Sequence, residues 1–255
     1  MRTRPLAVLA TLLLAATTSS FAGLTAAEQK ELKTFTKGTL YLRIDAPCAT
    51  GRHAYGTYKR PLVEVSPTGV STDAENTINA SWWHADSTYW GVSVNDQVKV
   101  EDINVDNEES TVELELEGVG PTEGNDTVIK FVKITSLADF KAAYAAAFSA
   151  KPLQDEHDDW SAEVKAAIGK RQLLEGMTKR QVYCVTGTPE RFEKSEKDGK
   201  EIEVWHLRQN KGTKMGYWTT QSGQATGLPE SIKFENGKLV EFAGVGKGSA
   251  VDLGN

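Results

Sequence analysis

Cysteine is scarce. The 255-residue chain holds two, Cys48 and Cys184, too few for a disulfide scaffold. Histidine is scarce too: His53, His84, His157 and His206 are the full set, with no pair at helical i, i+4 spacing and none beside paired cysteines. That pattern argues against a zinc site. There is no Gly-x-Ser-x-Gly segment, so the nucleophile elbow of many hydrolases is missing. Past the first 22 residues no stretch is apolar enough to span a bilayer. Positive charge is in deficit, 29 Lys+Arg against 35 Asp+Glu for a net charge of -6, which leaves no electrostatic footprint for nucleic acid. Internal repeats and low-complexity tracts are absent as well. What remains, 39% hydrophobic and 25% charged residues, is the make-up of an ordinary globular protein.

The first 22 residues are distinctive. Arg2 and Arg4 precede an apolar run from Leu6 to Ala16, and Ser20-Phe21-Ala22 supplies small residues at a cleavage site. This is the pattern of a secretory signal peptide, and the run is too short for a membrane anchor. No cysteine stands near the cleavage site, so a lipid anchor at a new N-terminal Cys is not expected. The mature chain is expected outside the cytoplasm, in the periplasm of a Gram-negative cell.

After a lead segment (23–38), residues 39–150 read mostly as strands. Val112-Glu113-Leu114-Glu115-Leu116-Glu117 alternates cleanly, apolar on one face and acidic on the other. In the preceding run the apolar phase slips at Glu101-Asp102, as at a β-bulge. Ser136 with Asp139 opens a helix whose Leu137, Phe140, Tyr144 and Phe148 share a face. The expected architecture is α+β, beginning with a small antiparallel barrel of SH3-like type closed by that helix. A polar linker (151–159) follows. The second unit (160–243) opens with a helix from Trp160 capped by Asp159. A second helix starts at the Thr178–Gln181 capping box and stops at Gly187-Thr188-Pro189. Two hairpins come next, turning at Lys197-Asp198-Gly199-Lys200 and at Asn236-Gly237. Residues 244–255 read as a flexible tail.

Candidate chemistry is thin. Asp102, Asn104, Asp106 and Glu113 match the oxygen spacing of an EF-hand calcium loop, but their flanks read as strands, and a solvated acidic hairpin is the plainer reading. No other metal or cofactor is expected. Cys48 and His53 are near in sequence, and a Cys–His pair can act as nucleophile and base only in direct contact. Arg52, Tyr55 and Tyr58 lie in a basic, aromatic stretch suited to a binding loop. Trp82 and Trp83 point to opposite faces of one strand, so Trp83 with Tyr89 could offer an exposed contact surface, the alternative being core packing.

The segment Gly176-Met177-Thr178-Lys179-x-Gln181-Val182, followed by Gly187-x-Pro189, Val204-Trp205 and Phe234-x-Asn236-Gly237-Lys238-Leu239-Val240, resembles the BamE family, also called SmpA/OmlA. The resemblance covers about residues 160–242. It implies two helices packed on a three-stranded antiparallel sheet, no catalysis, and envelope or outer-membrane proteins as partners. Secreted inhibitors of β-lactamases share that compact fold. The alternatives weighed beside this non-enzymatic scaffold are an enzyme or inhibitor using the Cys48–His53 loop or an interdomain pocket, and a calcium-dependent module.

Overall fold

A computed structural model describes residues 23–53, 56–72, 88–89, 92–207 and 228–243. In chain order the elements are α1 (Ala26–Phe35), β1 (Thr39–Leu42), β2 (Cys48–His53), β3 (Gly56–Pro61), β4 (Val63–Ser66), β5 (Gly69–Thr72) and β6 (Thr88–Tyr89). There follow β7 (Gln97–Asp106), β8 (Thr111–Gly118), β9 (Asp126–Phe131), α2 (Leu137–Ala147) and β10 (Phe148–Ser149). The rest is α3 (Ala162–Gly169), α4 (Lys179–Thr186), β11 (Arg191–Lys197), β12 (Lys200–His206), β13 (Ser231–Glu235) and β14 (Lys238–Ala243).

The first core lies between a seven-stranded sheet, ordered β10-β1-β7-β8-β9-β4-β5, and helices α1 and α2. Strand β8 buries Val112, Leu114 and Leu116, as its alternation requires. The bulge falls between Val100 and Asp102 of β7. Ser136 caps α2, its hydroxyl accepting from Asp139 N at 3.2 Å. Leu137, Phe140 and Tyr144 face the sheet with Phe148 just beyond the helix, and Tyr144 meets Phe148 at 4.5 Å between ring centroids. The Tyr144 hydroxyl is buried with no hydrogen-bond partner among the described residues.

The expected SH3-like antiparallel barrel is corrected by this sheet. It curls into a half-barrel, and β4 pairs with β9 in parallel. The physical reason is the second layer. Apolar side chains of α1 and α2, among them Leu32 and Phe140, cover one face, so the strands bury that face without closing on themselves. Helix α1 falls in the segment read only as a lead. Its Thr25–Glu28 capping box is complete, with Glu28 N donating to Thr25 Oγ1 at 3.3 Å and Thr25 N donating to Glu28 Oε2 at 2.9 Å. Leu24 is clasped by Asn107, which accepts from its N–H at 2.9 Å and donates to its carbonyl at 3.1 Å.

The second core lies between α3, α4 and a four-stranded antiparallel sheet, β11-β12-β13-β14. The expected three-stranded sheet under two helices is corrected by the added strand β11. Its sequence, RFEKSEK, is exposed throughout, so no apolar periodicity announces it; the backbone ladder to β12 holds it in place. Helix α3 starts later than expected: Ser161 caps it, accepting from Val164 N at 3.3 Å, while Trp160 stacks on His157 at 3.9 Å. Both hairpin turns have positive φ at their two central residues, Asp198–Gly199 and Asn236–Gly237, as type I′ turns require. A three-stranded sheet, β3-β2-β6, completes the strands. Among the described residues no helix is long and apolar enough to cross a membrane.

Candidate functional site: an aromatic trough beside β11

Helix α4 decides where the second unit is covered and where it is open. Thr178 accepts from Gln181 N at 3.3 Å and donates its N–H to Gln181 Oε1 at 2.7 Å, closing the capping box. The helix then buries Val182, Cys184 and Val185 over β12–β14. Beyond its reach, β11 stands uncovered by any of the described residues. Phe192 sits opposite Trp205 in the ladder. Residues directly opposite share a face, so Phe192 projects on the helix side, and it is 58% exposed. Between the overhanging Phe192 and Tyr183 of α4 runs a trough of about 530 Å³, lined by Tyr183, Thr188, Pro189, Phe192, Glu203 and Trp205.

Glu203 is the trough's one deeply buried charge, 5% exposed. It accepts from Trp205 Nε1 at 2.6 Å and from the Lys179 ammonium, with Lys194 Nζ at 3.6 Å. Burial pushes its carboxyl pKa up, but the Lys179 and Trp205 hydrogen bonds and the two lysine charges outweigh that and hold it below the ordinary value. The paired carboxylate fixes the Trp205 indole. Burial pushes the Tyr183 phenol up to about 12 and the Cys184 thiol up to about 11. Neither supplies an anionic nucleophile near neutral pH. Lys194 lies 5.5 Å from the Phe192 ring and Arg180 5.8 Å from that of Tyr183. The rim therefore joins aromatic faces to positive charge.

The end wall is set by a residue from the first unit. Asp45 accepts from Thr188 N at 2.6 Å and from Val94 N at 3.0 Å. Gly187, which ends α4 at φ 72° and ψ -158°, passes so close that a Cβ there would lie 2.5 Å from Asp45 Oδ1. Pro189 follows in the wall itself. Other contacts brace the same junction. Arg171 donates to Asp96 and, at 3.3 Å, to the Val94 carbonyl. Arg43 pairs with Glu156. Asn95 donates to Gln154 Oε1 at 2.9 Å and accepts from Leu153 N at 2.8 Å. Leu153, within the segment read as a linker, is fully buried in the second core. Tyr183 Oη donates to the Arg43 carbonyl at 3.3 Å.

The motif residues Met177, Thr178, Gln181, Gly187 and Pro189 thus build and end the helix beside the trough. Gly176 N donates to Leu239 O at 2.8 Å, and Leu239 N to Met177 O at 2.8 Å; this ties α4's entry to β14, next to the Asn236–Gly237 turn. The other candidates lie elsewhere. Arg52 is opposite Thr57 and Tyr58 opposite Gly51 in the β2–β3 hairpin, while Tyr89 pairs with Cys48. Tyr55 and Trp83, like Trp82 and the strand expected near Lys214–Thr220, lie outside the described residues. Cys48 is buried at the start of β2 and His53 ends it. Five residues of extended strand separate their Cα atoms by roughly 16 Å, beyond the reach of a Cys–His pair. Cys184 is a free thiol in the second core.

The calcium-like spacing is used by a hairpin. Asn104 stands opposite Glu113, Asp102 opposite Glu115, and Asp106 opposite Thr111. Asp106 Oδ1 accepts from Glu108 N and Glu109 N at 2.8 and 3.0 Å, forming the turn. Among the described residues no three His, Cys, Asp or Glu side chains gather as metal ligands.

Sequence reading missed Tyr183, Phe192, Trp205 and Asp45. Phe192 did leave a signal, as the one aromatic in a charged strand. Compared with family models, curated proteins and solved structures, the chain gives no match in any of the three.

Proposed function

We propose that this is a non-enzymatic, exported protein that binds other proteins of the cell envelope. The trough is its recognition surface and takes an apolar side chain from a segment of the partner. The observation that carries this reading is Phe192, a large aromatic left 58% exposed above a floor that includes Trp205. Rigid aromatics with a buried polar anchor are what contact hot spots are made of. The raised phenol value of Tyr183 at the trough, and the raised thiol value of Cys184 in the core behind it, fit contact better than covalent chemistry. The likeness of the 176–189 block to envelope accessory proteins supports the same reading. So does the leader of residues 1–22, since Leu24 just past the expected cleavage site is already held by Asn107.

The test is photo-crosslinking in the native host. A benzophenone side chain replacing Phe192 is expected to give a discrete protein adduct that weakens when Tyr183→Ala removes the opposite wall. The same probe at Lys33, on exposed α1, serves as control. Equal labelling from both positions, or an adduct indifferent to Tyr183→Ala, would overturn the proposal.

A further inference from the structure

We infer that the outer edge of β11 is a self-association surface, and that its occupant is β11 of a second copy, paired antiparallel about Ser195. The inference stands on the strand edge and its charges, independently of what the trough binds.

The sheet has two ends. At β14 the edge is occupied: Gly176, Met177 and Thr178 bond to it. At β11 no strand lies on the outer side among the described residues. Natural proteins blunt such edges with proline, a bulge or a very short strand. Strand β11 has none of these. It is seven residues long, contains no proline, and pairs with β12 without a register shift. Its charges are the remaining device, and they are ordered.

Within its own hairpin, β11 sets like against like: Glu196 faces Glu201 and Lys197 faces Lys200. Glu201 and Lys200 are drawn inward by Lys179 and Glu235. Glu196 and Lys197 have no ion pair among the described residues, so their complement is left to come from outside.

Two identical antiparallel strands match outward-pointing backbone groups only when opposed residues are an even number apart. Centring on Lys194 opposes that lysine to itself and Arg191 to Lys197. Centring on Glu196 opposes that glutamate to itself. Centring on Ser195 opposes Glu193 to Lys197 and Lys194 to Glu196, each twice by symmetry, with serine against serine on the axis. Of these three registers, only the last is free of like-charge pairs, which are destabilising when directly opposed.

The two-fold axis then stands perpendicular to a continuous eight-stranded sheet, with both helix layers on one side. Phe192 of each copy would lie roughly 20 Å from its mate along the strands, six residues of rise, so the dimer would present two troughs on one face. A partner with two apolar segments could then engage both, which raises avidity without new contacts. Seven strand residues bury less than a standard interface, so the association is a weak, salt-sensitive one.

Disulfide trapping of the mature full-length chain tests this. Ser195→Cys places two thiols across the axis with Cα atoms roughly 4.5–5.5 Å apart, within disulfide range. Glu193→Cys places them roughly 13 Å apart, four residues of rise. Ser195→Cys is expected to oxidise to a covalent dimer at least tenfold faster than Glu193→Cys, and 1 M salt should slow it. Glu196→Lys in the Ser195→Cys background should abolish trapping without loss of fold, because it also relieves the clash with Glu201. Equal rates for the two cysteine variants, or trapping that survives Glu196→Lys, would overturn the inference. The cross-link probe at position 192 reports on the trough alone, so either result can fail without the other.

Discussion

Gly187→Ala tests the joint that forms the trough's end wall. Two effects meet at this residue. Its φ of 72° with ψ of -158° lies where L side chains are strained, at a cost of about 1–3 kcal/mol. The new Cβ would also stand 2.5 Å from Asp45 Oδ1 and 2.8 Å from Oδ2. The carboxylate must then retreat from the Thr188 and Val94 amides, and each hydrogen bond to a charged group is worth about 1.5–3 kcal/mol. With one bond lost, the total is about 2.5–6 kcal/mol, a large share of the ~5–15 kcal/mol that holds a typical domain folded. Gly176 provides the control: its φ is 85° but nothing lies within 4 Å of its would-be Cβ, so Gly176→Ala carries the strain alone. The assay is urea unfolding of both variants, with and without Asp45→Ala. In the Asp45→Ala background the collision is gone, and Gly187→Ala should cost only its strain of about 1–3 kcal/mol. The expected coupling between the two positions is therefore about 2 kcal/mol. Gly187→Ala and Gly176→Ala costing the same within about 0.5 kcal/mol, with Asp45→Ala changing neither, would refute the reasoning.

Three further outcomes are expected. Tyr144→Phe removes a buried hydroxyl that has no partner among the described residues, so it should raise stability by about 1 kcal/mol in the same unfolding assay. Glu203 has a depressed folded pKa; its contribution is present above its unfolded value near 4.5 and is lost as pH falls through the lower folded value. Stability curves of Glu203→Gln should accordingly be flatter than those of the parent below about pH 4.5, with indole fluorescence altered as Trp205 loses its carboxylate. Cys184, buried with its thiol pushed to about 11, should resist an aromatic disulfide reagent at pH 8 and react promptly in urea; fast native reactivity would contradict the burial.

Local rules carried far in this chain. The Thr178–Gln181 capping box, the Ser136 cap, the Asn236–Gly237 turn, the alternation of β8 and the bulge after Val100 are each written within a few residues, because the bonds and faces that define them close over two to four positions. The Thr25–Glu28 box is equally local, but α1 buries only Leu32, so no apolar run marks the helix behind it. The trough had no such signature. Phe192 and Trp205 meet through a strand ladder, and Asp45 reaches Thr188 across the junction of the two units.

By itself, then, the sequence determined where α2 and α4 begin and where the two hairpins turn, since capping and turn geometry are satisfied by near neighbours. Only the tertiary structure decided that β4 runs parallel to β9, that a mostly charged segment becomes an edge strand, and that one aromatic overhangs the end of α4. Those outcomes depend on which surfaces distant segments find to cover. No residue pattern records a surface that is left uncovered.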